Sequence, residues 1–282
     1  MTQRKDRRGP RPERAARRNA AGRSKGGRDN VASNPRHEVL YGFHAVTQAL
    51  EMRADAVLAL WISGRRKDER MSSLTALAAQ AGVNAQLAED ATLDRLCDGE
   101  RHQGVVARVR ARALGDLPAL LAKLEASPAD VLVLDGVCDP HNLGACLRVA
   151  AAAGIGALVL PRAHASPITP TVHKVASGGA EVVEIFAVPN VARALRDIGE
   201  AGLQIVGLAG EAQSSLFELS LERPTAFVMG TESTGLRRLS REHCDVLAAI
   251  PMPGPMESLN LSVSAGIVLF EAVRQRAMHQ TH

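Results

Sequence analysis

The stretch VLVLDGVCDPHNLGACLRVAAAAGIGALVLP, residues 131–161, decides the fold. Two unbroken apolar runs, VLVLD (131–135) and ALVLP (157–161), flank a polar loop and a small-residue helix expected over Leu143–Ala153. Runs without polar alternation suit strands covered on both faces, and strand–helix–strand in this order builds a parallel pair. The same pattern continues with strands expected at VVEIF (182–186), QIVGLA (204–209), AFVMG (226–230) and VLAAI (246–250), and helices at Val191–Ala201 and Ser262–Arg276. Residues 128–282 therefore read as an α/β domain with a parallel sheet.

Upstream, GFHAVTQALEM (42–52) reads as a helix and AVLALWIS (56–63) as a strand. A helix follows over Met71–Ala81, then strands VNAQLA (83–88) and GVVARVR (104–110) around a helix ATLDRLCD (91–98). Residues 36–110 thus form a small α/β unit, and 111–127, with the helix DLPALLAKLE (116–125), are expected to link it to the larger domain. Residues 1–35 are rich in Arg, Gly, Pro and Ala without apolar periodicity, the composition of a disordered basic tail.

The 282 residues are 46% hydrophobic, enough for two cores, but only 2% aromatic, which excludes an extensive stacking platform for single-stranded nucleic acid. Residues 1–30 carry eleven Lys or Arg and three acids, leaving twenty-three basic and twenty-seven acidic residues elsewhere. Such a tail attracts phosphate in a salt-sensitive way, so a nucleic acid partner fits. No apolar run reaches the roughly 18 residues of a membrane span, and the Arg-rich start lacks a signal's apolar segment, so a soluble cytoplasmic protein without membrane partners is expected. Cys97, Cys138, Cys146 and Cys244 show no CxxC or zinc spacing and are expected to be reduced, with no metal bound.

Neither GxxxxGK[ST] nor a strand followed by GxGxxG occurs, which excludes the common phosphate-binding and dinucleotide fingerprints. Polar residues and glycines gather instead behind three of the expected strands. In the first place, Asp139, Asn142 and Gly144 precede Arg148, a charged residue inside an Ala/Leu/Val run that either snorkels or points into a polar site. In the second, FVMGTESTGLRR (227–238), Gly230 and Gly235 flank Glu232, either an acceptor for Arg or amine donors or a solvated turn residue. In the third, IPMPGPMESLNLSVSAGIVLFEAV (250–273), a stiff loop with three prolines leads to Ser258, Asn260 and Ser262; Ser262 alone is readable as an N-cap and Asn260 as a turn residue. His141 and His173 read as loop hydrogen-bonding residues rather than acid–base catalysts.

In this order and spacing the three segments resemble motifs 1, 2 and 3 of the SpoU branch of the SPOUT methyltransferases, carried by Asn142 and Arg148, by Glu232, and by Asn260 and Ser262. YGFHAV (41–46), HQGVVARV (102–109), KVASGGAE (174–181), RRLSREHCD (237–245) and FEAVRQR (270–276) extend the likeness to the bacterial enzymes that methylate a 23S rRNA guanosine, over Val39–Arg276. Where close relatives often carry Gly and an acidic residue after the motif 2 glutamate, this chain has Ser233 and Thr234.

The resemblance implies an α/β-knot domain with a deep C-terminal trefoil knot, preceded by a ribosomal-protein-like RNA-binding domain. It implies transfer of methyl from S-adenosylmethionine to the ribose 2′-hydroxyl of a guanosine in the peptidyl-transferase P loop of 23S rRNA, in free rRNA or a large-subunit precursor. By the same likeness Met229, Gly230, Ile250, Met252, Ser258, Leu259 and Asn260 contact the cofactor, and two copies form a homodimer through the Ala-rich helices at 143–153 and 262–276. Asn142 positions the ribose or phosphate, Glu232 orients Arg148 or a substrate amine, and Asn260 and Ser262 organise the cofactor loop. The family gives proton removal to the motif 1 arginine. A guanidinium is effectively always protonated, so Arg148 is either transiently neutral in a shielded pocket or a cation that stabilises the alkoxide while phosphate or water takes the proton. Rival readings are 2′-O-methylation of another rRNA or a tRNA ribose, a catalytically silent rRNA-binding assembly factor, and a general RNA binder acting through its tail. Both roles for Arg148 predict that Arg148→Ala abolishes methyl transfer in an assay with labelled cofactor.

Overall fold

The computed structural model describes residues 37–163 and 165–279, and the tail expected at 1–35 lies outside them. Among the described residues no helix is long and apolar enough to cross a membrane. The chain opens with β1 (His37–Tyr41), α1 (Phe43–Arg53), β2 (Val57–Ser63), α2 (Glu69–Gln80), β3 (Ala85–Ala88), α3 (Asp90–Leu96) and β4 (Val105–Arg110). The strands form a mixed sheet in the order β1-β4-β2-β3, antiparallel except for β2 against β3. Leu40, Leu60, Ile62, Val105, Ala107 and Val109 pack with Phe43, Val46 and Leu50 of α1 and with Met71 and Leu74 of α2 into one core. Asp68 caps α2 by accepting from the Met71 amide at 3.0 Å, which also holds its carboxyl below the usual range.

The second half runs through α4 (Leu117–Ala126), β5 (Val131–Leu134), α5 (Pro140–Ala152), β6 (Ala157–Pro161), α6 (Pro170–Ala176), α7 (Gly179–Val182), β7 (Glu184–Val188), α8 (Val191–Glu200), β8 (Gln204–Leu208), β9 (Ser214–Ser215), β10 (Thr225–Met229), α9 (Arg238–Glu242), β11 (Val246–Ala249) and α10 (Leu261–His279). Its sheet, in the order β7-β6-β5-β10-β8-β11-β9, is parallel at every pairing. The period of two along each strand sorts side chains between two cores. Leu132, Leu134, Leu158, Leu160, Phe227 and Met229 face α5, α6 and α10, whereas Val131, Val133, Val159, Ala226 and Val228 face α4 and α8. The apolar runs are unbroken because both faces are dry.

Several boundaries differ from those expected. β1 is a strand that the sequence reading left unassigned, and α6 and α7 occupy a segment given no element. Val182, expected to open a strand, ends α7, and the strand begins at Glu184. Asp139 accepts from the His141 amide at 3.0 Å and caps α5 three residues before its expected start. The segment 111–127 contributes α4, whose Leu120 and Leu124 are buried against the sheet. At its far end α10 is tied down by Arg276, which pairs with Asp130, while Asp130 Oδ1 also accepts from the Thr225 amide at 2.8 Å.

Register places the loops. Met229 of β10 lies opposite Leu134 of β5, and Ala248 of β11 opposite Leu208 of β8. The carboxyl ends of β5, β10, β8 and β11 therefore open onto one rim, where open α/β sheets bind ligands. Phe227 is fully buried at the centre of this sheet. Phe227→Ala is expected to destabilise the protein by about 3–5 kcal/mol, measured as a lowered urea midpoint with an unchanged slope.

Candidate active site

The motif 2 loop is a closed ring. Thr231 and Gly235 exchange backbone hydrogen bonds of 3.1 and 2.9 Å, with Gly235 at φ +65. Thr234 donates its amide to Thr231 Oγ1 at 3.1 Å, and the two hydroxyls lie 2.7 Å apart. Ser233 and Thr234, the departure noted in the sequence, thus brace the loop with hydroxyls. At Gly230 a Cβ would meet the Gly235 carbonyl carbon at 2.0 Å, so two stretches of main chain pass with no room for a side chain.

Glu232 stands at the head of this ring, and its Oε1 accepts from Asn142 Nδ2 at 3.0 Å, Asn260 Nδ2 at 2.9 Å and the Leu261 amide at 3.2 Å. Asn260 Nδ2 also reaches Asn142 Oδ1 at 2.9 Å, and Asn260 Oδ1 accepts from the Ser262 amide at 2.9 Å and hydroxyl at 2.6 Å. One carboxylate oxygen thereby ties the start of α5, the motif 2 loop and the start of α10 together. Asn260, not Ser262, caps α10, correcting the N-cap alternative for Ser262. Beneath the loop, burial pushes the Cys146 thiol up to about 12, with the Glu232 charge adding to the rise, so this thiol stays protonated and inert. No disulfide joins any of the four cysteines, all of which lie among the described residues.

Beside this junction lies a cavity of about 300 Å³. Met229, Gly230, Ile250, Met252, Ser258 and Leu259, the expected cofactor residues, line it together with Glu232, whereas Asn260 does not. Gly210, Glu211, Arg241 and Ser264, which the sequence reading missed, are also part of the wall. Glu211 pairs with Arg241, which holds its carboxyl below the usual range. Arg241 lies in RRLSREHCD and Ser264 in the third segment, so the sequence marks their neighbourhood, whereas Gly210 and Glu211 follow the strand QIVGLA without a motif. A pocket walled by main chain and aliphatic side chains, with carboxylates at its edge, suits a flat apolar ring joined to a cation.

Arg148 is the member that the structure leaves apart. It is exposed, it does not line the cavity, and its Nη1 donates to Ser177 Oγ at 3.5 Å. Within one chain Glu232 Oε1 is taken by Asn142, Asn260 and Leu261, and Arg148 turns to Ser177 instead. Six helical residues turn the chain by about 240° relative to Asn142, so the two side chains leave α5 on different faces. His141 is exposed at the start of α5, and His173 is no loop residue: it is buried on α6 between two glutamates.

Residues 130–270 match the SpoU rRNA Methylase family, and residues 39–114 match the family described as RNA 2′-O ribose methyltransferase substrate binding. The chain belongs to the SpoU rRNA methylase family. It is 46% identical over 244 residues to the 23S rRNA (guanosine-2′-O-)-methyltransferase RlmB of Shewanella oneidensis, covering 86% of this chain and 98% of that one. The enzyme of the same name from Nitrosomonas europaea is 48% identical over 241 residues, covering 85% and 92%. A crystal structure of an RNA 2′-O ribose methyltransferase superposes with a TM-score of 0.70 at 27% identity, covering 86% of this chain and 90% of that one.

Glu232→Ala would orphan both asparagine amides and the Leu261 amide. The expected outcome is a loss of about 1–3 kcal/mol in stability and of at least about 100-fold in methyl transfer, read from thermal melts and initial rates.

Proposed function

We propose that this protein methylates the ribose 2′-hydroxyl of a guanosine in 23S rRNA, in the peptidyl-transferase P loop, with S-adenosylmethionine as donor and in the cytoplasm. The observation that carries the reading is the convergence of three separate loops on Glu232 Oε1 beside a ligand-sized cavity. When bound, S-adenosylmethionine supplies a methyl group on a sulfonium. Met229, Gly230, Ile250 and Leu259 would hold its adenosine part against main chain, with Glu232 at the cationic end.

The remaining chemistry is positioning and proton handling. Asn142 and Asn260, locked to each other and to Glu232, orient the ribose and its phosphate, which supplies the alignment an in-line displacement needs. Arg148 stays cationic and stabilises the oxygen as its proton leaves to phosphate or water.

Because Arg148 lies outside the cavity of its own chain, we assign it to the cavity of a second copy. Val263, Phe270 and Val273 are about half or more than a third exposed along one face of α10, beside Gly266, whose position faces Val149, the neighbour of Arg148. Such a face covers itself in a homodimer. In the same reading, the return of Leu261 between the loops after β5 and β10 belongs to the family's trefoil knot.

Two results test the reading. Ribose-methylation mapping of 23S rRNA from cells lacking the protein should lose a single 2′-O-methylguanosine, and an unchanged map refutes the substrate. Mixing the Arg148→Ala and Glu232→Ala variants should restore activity that neither has alone, since a mixed dimer keeps one site with both residues; no recovery places Arg148 in its own chain's site.

A further inference from the structure

Away from the cavity, a group of charges is buried where β1 and α1 of the small unit meet α6 and α7. Arg53, at the end of α1, makes a two-pronged pair with Glu181 of α7, through Nε to Oε2 and through Nη2 to Oε1 at 3.1 Å. His173 Nδ1 lies 3.3 Å from Glu181 Oε1, and its Nε2 lies 3.1 Å from Oε2 of Glu38 on β1, an ion pair without good hydrogen-bond direction. Arg53 Nη2 closes the ring at 3.9 Å from Glu38. Glu181 and His173 are each 4% exposed. Burial alone would discharge both, yet the two carboxylates hold the His173 pKa above its ordinary 6.5, and His173 and Arg53 hold that of Glu181 below its ordinary 4.5. With His173 protonated, two acids face two cations and the ring is neutral, the condition under which buried charges persist.

The ring has reinforcements on both sides. Arg112 Nη1 donates to the carbonyls of Ala180, Glu181 and Val183 at 3.2–3.3 Å, and Lys174 of α6 pairs with Glu100 at 2.6 Å. Between α6 and α7 lies the turn Ser177-Gly178-Gly179, pressed from two directions. A Cβ on Gly178, at φ +94, would strike Gln48 of α1 at 2.3 Å; one on Gly179 would lie 2.7 Å from the Leu147 carbonyl oxygen and 3.0 Å from the Arg148 Cα. Ser177 Oγ, which receives Arg148 Nη1, itself donates to the Lys174 carbonyl at 3.4 Å.

We infer that Glu38, His173, Glu181 and Arg53 are positioning residues: they fasten the small domain to the turn on which Arg148 rests, so that the seating of that domain sets where Arg148 stands. The inference rests on the proposed role of Arg148. Losing the ring frees the turn, and Arg148 loses its backing without any change in the cavity or in the surface that meets RNA.

The test uses the full-length protein with Arg53→Met and, as a milder variant that keeps shape, Glu38→Gln. At saturating S-adenosylmethionine, kcat should fall at least about tenfold in Arg53→Met and less in Glu38→Gln, with KM for the rRNA fragment and the cofactor dissociation constant unchanged. Amide exchange, which needs no activity, should quicken over residues 176–182 and over the α5 turn bearing Arg148. An unchanged kcat with a raised KM, or faster exchange confined to the small domain, overturns the inference. Wild-type protein inactive on rRNA while exchange in the α5 turn still quickens counts against the proposed function and leaves the coupling standing.

Discussion

A single carboxylate oxygen holds the site together. Glu232 Oε1 accepts from two side-chain amides and one backbone amide, drawn from segments at 142, 260 and 261 that only folding brings near residue 232. Charge-assisted bonds of this kind are about twice as strong as neutral ones, and here they act at the mouth of a sheet whose register has already aligned the strand ends. The sheet gives the coarse placement and the carboxylate gives the fine one. Asn260 is fixed from its other side by the Ser262 amide and hydroxyl, and its bond to Asn142 carries that anchoring across to α5.

Much of this was legible in the sequence, for identifiable reasons. Strands such as VLVLD and AFVMG stand out because a doubly covered parallel strand must be apolar on both faces, and the loops that follow concentrate Asn, Glu and Gly against that background. The segment PTVHKVASGGAEV was illegible for the opposite reason. Its two short helices bury His173 and Glu181, and a polar residue buried by charge pairing leaves no trace in hydrophobic periodicity. β1 is only five residues long with a half-exposed face, too short for alternation to register. The divergence of Arg148 from Asn142 does not show in the bare order of residues, and only the helical turn sends the two side chains apart.

The motif 2 loop of this chain is braced by its own hydroxyls. Thr231, Ser233 and Thr234 supply three hydroxyls around one turn, and the Thr231–Thr234 contact closes it across its narrowest point. The loop thereby keeps Glu232 at its head.

Gly230 carries a consequence for anyone who would alter the donor that this enzyme accepts. Its main chain lies against that of Gly235, both line the cavity, and any side chain on Gly230 would have to displace that neighbour. Donor preference is therefore not adjustable by substituting that glycine, and enlarged or reshaped analogues would have to be admitted by trimming Met252 or Leu259, whose side chains line the same cavity.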